Sequence, residues 1–202
     1  MAQTILTRKA QIKATAQNLF KEKGYSATSM RDLAKAVGIE PASLYSHISS
    51  KEEILSSICF RIAGEFNDAL SSALTIGSNP IDALTNAIIA HTEVICRNLD
   101  AAAVFFNEWK HLPVHDLEVF KHKRHQYEEK FKQLLQEGMY ADVFHISDIN
   151  FTLRMLFASM NATYEWYKPN GKLTPKEIGL QIAHYALAGV NAINNKETSF
   201  TK

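Results

Sequence analysis

The chain has 202 residues, 46% of them hydrophobic, enough to bury a proper core in one domain or two small ones. Its 22 basic and 21 acidic residues leave a formal net charge of +1, so any case for a nucleic-acid partner must rest on local charge. No apolar run is long enough to span a bilayer, no signal-peptide pattern is present, and Cys59 and Cys96 lack CxxC spacing. These features predict a cytoplasmic protein with reduced, buried thiols.

Residues 1–6 read as a loose arm. From Thr7, an N-cap, the spacing of Ile12, Ala16, Leu19 and Phe20 predicts an amphipathic helix ending at Gly24. Arg8, Lys9 and Lys13 near its start face water or a phosphate. Two short helical patterns follow, Met30 to Val37 and Pro41 to His47, joined by a tight Gly38-Ile39 turn. Leu33, Ala34 and Val37 form one apolar face, and Ile39, Leu44 and Ile48 close over it. Gly38 sits where a helix end must reverse and φ > 0 is favoured, and Pro41 suits a first helical position, where a missing N–H costs nothing. This is helix-turn-helix punctuation.

The outward residues of the second short helix, Ala42, Ser43, Tyr45, Ser46 and His47, are small or hydrogen-bonding, and fit a major groove. Ser50 and Glu53 form a capping box that starts the next helix. Lys51 at that start opposes the helix dipole, and a phosphate partner would supply the reason. Through Phe60 there are eight basic against five acidic residues, and fourteen against sixteen after it.

Ile54, Leu55, Ile58, Ile62, Phe66 and Leu70 continue one long helix that leaves the head. TIGSNP, Thr75 to Pro80, is the clearest break, followed by a helix from Ile81 to about Asn98. The aromatic stretch Ala101 to Trp109 ends near Leu112-Pro113, and a further helix runs from Val114 to Gly138, where the glycine reads as its stop. Asp148 caps a helix from Ile149 to Tyr167. The last helix runs from Thr174 to about Asn194, with Pro175 first and Glu177 completing a capping box, before a frayed tail over 195–202. No strand pattern or repeat stands out, so the fold class is all-α.

The block from Ile12 to Leu55 resembles the tetracycline-repressor (TetR) family of transcriptional regulators. The likeness rests on Ala16, Leu19, Phe20, Gly24 and Tyr25, then Thr28, Leu33-Ala34, Ala36-Val37-Gly38 and SLYSHISSKEEIL. It implies a DNA-binding head over 5–65, with the helix-turn-helix at about 28–48, and an effector-binding and dimerisation domain over 66–195. Operator contacts then fall to Thr28, Ser29, Pro41, Ala42, Ser43, Tyr45, Ser46, His47 and Lys51, with Thr28, Tyr45, His47 and Lys51 on phosphates. The long helix after Ser50 would link pocket to head.

A second resemblance covers EWKHLP, YEEKFKQLLQEG, VFHISD and NATYEWYKPNGKLTPKEI, which are similar to the C-terminal part of TetR members governing fatty-acid, sterol or acyl-CoA catabolism. It implies a hydrophobic or acyl-CoA-like effector, with Lys110 or Arg154 near its phosphates. Phe105, Phe106, Trp109, Tyr127, Phe131, Phe157 and Tyr164 are the candidate pocket wall, against the plainer reading of aromatics at helical spacing as core. The family's homodimer places Phe151, Met155, Ala158, Ile178, Ile182, Tyr185 and Gly189 at the interface.

Other classes fare less well. His115, Glu118, His122 and His125 share a helix face, but the first and last lie about 15 Å apart along the axis and cannot converge on one metal ion. No GxSxG, HExxH, Walker or dinucleotide glycine motif is present, so no catalytic residue, metal or cofactor is assigned. The TetR resemblance implies a ligand-responsive repressor. The alternatives are a metal-sensing or catalytic domain with a regulatory head, and a constitutive DNA-binding regulator.

Overall fold

The computed structural model describes residues 7–76 and 79–191, and all regular structure among them is helical. The arm over 1–6, residues 77–78 of the expected break, the last residues of the final helix after 191 and the tail over 195–202 lie outside the described residues. The chain forms two compact units that do not follow a single cut in the sequence.

The first unit takes the residues up to Gly64 together with Asn98–Lys123. Helix α1 (Arg8–Lys23) starts under the Thr7 hydroxyl, which accepts from the Ala10 N–H, and buries Ile12, Ala16 and Phe20. Helix α2 (Met30–Val37) opens on a capping box between Ser29 and Asp32 and ends at Gly38, whose φ of 73° is left-handed. Helix α3 (Pro41–Tyr45) is shorter than expected. The N–H groups of His47 and Ile48 both reach the Leu44 carbonyl, tightening the chain so that Ile48 turns inward and is buried beside Leu33 and Leu44 in the head.

Helix α4 (Lys51–Leu74) begins where Ser50 Oγ accepts from the Glu53 N–H. The Glu53 carboxylate reaches the Ser49 N–H rather than that of Ser50, so the reciprocal bond of the box is displaced by one residue. Helix α6 (Leu99–Asn107) lies beside α1, with Lys21 paired to Asp100, and leads into a 3-10 turn at Trp109–His111.

The second unit takes Glu65–Arg97 and the residues from Arg124 onward. Helix α5 (Pro80–Arg97) packs along α10 (Pro175–Asn191), and their apolar faces join α7 (Val114–Tyr140) and α8 (Ile149–Asn161) in a core of Leu70, Leu84, Ile88, Phe131, Leu156 and Met160. Helices α4 and α7 supply residues to both units.

Two boundaries differ from expectation. α7 runs through Gly138 to Tyr140, and the left-handed residue that turns the chain is Asp142, φ 55°. Gly138 is small because the Phe144 ring lies against it: a Cβ there would collide with that ring. The expected helix Ile149–Tyr167 is two, α8 and the short α9 (Thr163–Trp166). The break falls at Ala162, whose carbonyl takes the Glu165 N–H three residues on, a tightened turn in place of the α-helical bond.

Candidate nucleic-acid interface

Leu44 points into the head with no exposed surface, which turns the opposite side of α3 to solvent. Pro41, Ala42, Ser43 and Ser46 are exposed there, Tyr45 is 56% exposed, and His47 is half-buried at the helix end. Ser46 donates its hydroxyl to the Ser43 carbonyl at 2.7 Å, which leaves its oxygen to face outward as an acceptor. The turn at Gly38, the buried pair Leu33 and Ala34, and Leu44 together hold this face rigidly against α2.

Three expected contact residues have other work. Thr28 is buried, and its hydroxyl donates to the Gly24 carbonyl at 2.8 Å, so its side chain closes the α1–α2 loop. Ser29 spends its hydroxyl on Asp32, accepting from the backbone N–H and donating to the carboxylate, which holds that carboxyl below the usual range. Lys51 donates to the carbonyls of Tyr25 and Thr28, at 2.9 and 3.0 Å, with its ammonium 4.2 Å from the Tyr25 ring centre. Those two carbonyls account for a lysine at a helix start, the feature that a phosphate partner was invoked to explain.

Tyr25 completes this clamp. Its hydroxyl donates to Glu52 at 3.0 Å and its ring stacks on His111, with centres 5.3 Å apart. Burial, reinforced by the Glu52 bond, pushes the phenol upward. The clamp and α3 border a concave surface of about 460 Å³ lined by Ser26, Ser29, Tyr45, Ser49, Lys51 and Glu52.

The seven candidate pocket aromatics fall in two places. Phe105, Phe106 and Trp109 cluster with Phe120 in the first unit. Tyr127, Phe131 and Phe157 come together in the second around a residue that sequence reasoning passed over, His91. Tyr164, half-buried on α9, belongs to the second unit.

His91 is 2% exposed and stacks on Phe66 with centres 4.4 Å apart. Its Nε2 lies 3.0 Å from Asn161 Oδ1, an acceptor, so that nitrogen carries the proton and Nδ1 accepts from the Tyr127 hydroxyl at 2.9 Å. Burial lowers its pKa to about 4, and the imidazole is neutral. The signal was in the sequence: Leu84, Ile88, His91 and Ile95 share one helical face, and a polar residue on an apolar stripe demands partners.

On α8 and α10, Phe151, Met155, Ala158, Tyr185 and Gly189 are exposed and Ile182 is half-buried. Six residues, Phe151, Met155, Ser159, Ile182, Tyr185 and Gly189, line much of an apolar groove of about 420 Å³. Ile178, expected at the interface, is 3% exposed and belongs to the core.

Among the described residues no group of three or more His, Cys, Asp or Glu side chains is placed to hold a metal ion. Glu118 pairs with Lys121, and His115, His122 and His125 are exposed. No helix among the described residues is long and apolar enough to cross a membrane.

A rigid helix-turn-helix presenting small polar residues, ahead of a separate helical unit with its own core, defines the class of helix-turn-helix regulators. The model of bacterial regulatory proteins of the tetR family matches residues 12–58, and the tetracyclin repressor-like C-terminal domain matches 77–190, more than half of the chain. The chain belongs to the TetR family. It is 28% identical over 192 residues to the HTH-type transcriptional repressor KstR2 of Mycolicibacterium smegmatis, covering 91% of each. The structure of the ketosteroid transcriptional regulator KstR2 of Mycobacterium tuberculosis is similar at TM-score 0.85 and 24% identity, over 97% of this chain and 99% of that one. AibR, solved with isovaleryl coenzyme A and operator DNA, is similar at TM-score 0.75 and 22% identity, over 92% and 98%.

Proposed function

We propose that this protein is a homodimeric, ligand-responsive transcriptional repressor acting in the cytoplasm. Its head over 5–65 binds operator DNA, and the residues over 66–195 bind a small hydrophobic or acyl-CoA-like effector and dimerise. The observation that carries the DNA reading is the outward face of α3: Ala42, Ser43 and Ser46 for base edges, Tyr45 and His47 for phosphates, backed by a buried Leu44. One N–H of the Lys51 ammonium remains beyond its two carbonyl bonds and is assigned to a phosphate.

Dimerisation through α8 and α10 is supported by the apolar groove with Phe151 and Tyr185 on its rim, and by the need to read two half-sites. The effector reading is supported by the aromatic cluster around His91, where Phe66 and Phe157 flank the neutral triad Tyr127, His91 and Asn161. The isovaleryl coenzyme A bound to AibR makes a thioester the probe of choice. Release of DNA follows if the ligand prefers the non-binding state of the dimer by a few kcal/mol. No catalytic residue, metal or cofactor enters this mechanism.

The test is fluorescence anisotropy of the purified protein on its own upstream DNA across a salt series, with and without palmitoyl coenzyme A. Tight, salt-dependent binding released by the thioester is the expected result. Binding indifferent to it removes the long-chain acyl-CoA effector and leaves the regulator. If genome-wide selection of bound DNA also recovers no site, the DNA reading falls.

A further inference from the structure

The side chains that read bases by paired hydrogen bonds are few: Arg or Lys to guanine, Asn or Gln to adenine, Asp or Glu to cytosine. From Pro41 to His47 the chain contains none of these six. Opposite the buried Leu44, the positions that meet a groove floor first are Ala42 and Ser46, at about 160° around the helix on either side. Ser46 has already committed its proton to the Ser43 carbonyl. Ala42 offers only a methyl group, and the half-exposed ring of Tyr45 stands on one flank of the same surface. Glu40 is the N-cap residue, ahead of the first turn.

We infer that the operator is read through thymine: the Ala42 methyl, walled by the Tyr45 ring, packs against the C5-methyl of a thymine in each half-site. This inference rests on the DNA-binding reading above and names the base and atom that Ala42 selects. The contact is apolar and has no hydrogen-bond direction, so selectivity at that position is set by the presence of a methyl in the major groove. Cytosine lacks it, and 5-methylcytosine restores it.

The experiment begins with the full-length protein and a random duplex library, from which bound sequences are selected. Each thymine of the enriched half-site is then replaced by deoxyuridine, which deletes the methyl and keeps the O4 acceptor and the base pairing. At one position per half-site affinity falls about fourfold, and about fifteenfold when both half-sites are changed, from roughly 0.8 kcal/mol per buried carbon. Replacing that thymine by cytosine weakens binding, and 5-methylcytosine recovers part of the loss.

The Ala42→Gly variant, at an exposed site where folding is checked by circular dichroism, binds thymine and deoxyuridine operators alike. Tyr45→Ala narrows the difference. Uniform tolerance of deoxyuridine overturns the inference while leaving DNA binding intact. A methyl effect that survives in both variants assigns it to other residues and overturns it too. Failure to enrich any sequence overturns the DNA-binding reading itself, and this inference with it.

Discussion

A histidine sealed among Phe66, Phe131 and Phe157 titrates against its surroundings. Its folded pKa of about 4 lies below the ordinary 6.5, so the unfolded chain takes up this proton first as acid is added. The stabilisation is complete above pH 6.5 and is lost as pH falls from about 6.5 to about 4, amounting to about 3 kcal/mol. Thermal unfolding followed across that range should show the decline, and the double variant His91→Phe, Tyr127→Phe should flatten it. Retention of the slope in the variant would assign it to other groups. At Lys51 the two bonds to loop carbonyls are charge-assisted, so Lys51→Ala should cost about 2 kcal/mol of stability. Its third N–H, if it meets a phosphate, adds a drop of about one unit in the salt slope on every DNA sequence. A lower melting temperature with an unchanged slope would confine Lys51 to holding the loop.

At the level of helices, the start signals were legible because they are local. Thr7, Asp148 and Thr174 each cap the helix they were expected to cap, since a side-chain oxygen three residues ahead of an N–H needs no tertiary context. Gly138 misled for the opposite reason. Its role is set by Phe144, a neighbour the chain brings back after the Asp142 turn, and nothing in the helix pattern announces that. Gly138→Ala should therefore destabilise by about 1–3 kcal/mol through overpacking, although alanine is the better helix former. A stabilised variant in chemical denaturation would show that the ring can move aside. Thr28, Ser29 and Lys51 belong with Gly138. Their chemistry suits phosphate, and only the folded α1–α2 loop reveals which backbone groups already claim them. The α3 face was readable because one inward residue, Leu44, fixes the direction of all the others.

For the whole molecule, the pairing of two chains is the property that would turn one short reading helix into an operator-specific device. If α8 and α10 make the interface, Tyr185→Glu, at an 81% exposed position, leaves the monomer folded and shifts sedimentation toward the single chain. Wild-type melting should then rise with protein concentration, and the variant's should not. Sedimentation of Tyr185→Glu as an unaltered dimer would move the interface elsewhere. The dimer face was partly legible, because exposed Phe151 and Tyr185 lie on amphipathic helices, yet Ile178 on the same stretch is core. Period alone does not say which of two apolar faces meets a neighbour from the same chain.

The two thiols give this molecule a built-in means of observing its halves separately. Cys59 is in the first unit and Cys96 in the second, both are free and buried, and burial pushes them up to about 12 and about 11. A thiol so placed reacts with an alkylating reagent only during the moments when its surroundings open. The two labelling rates, resolved by peptide mass spectrometry, therefore time the breathing of each unit in one unmodified protein. Operator DNA should slow the clock at Cys59, and an effector the clock at Cys96.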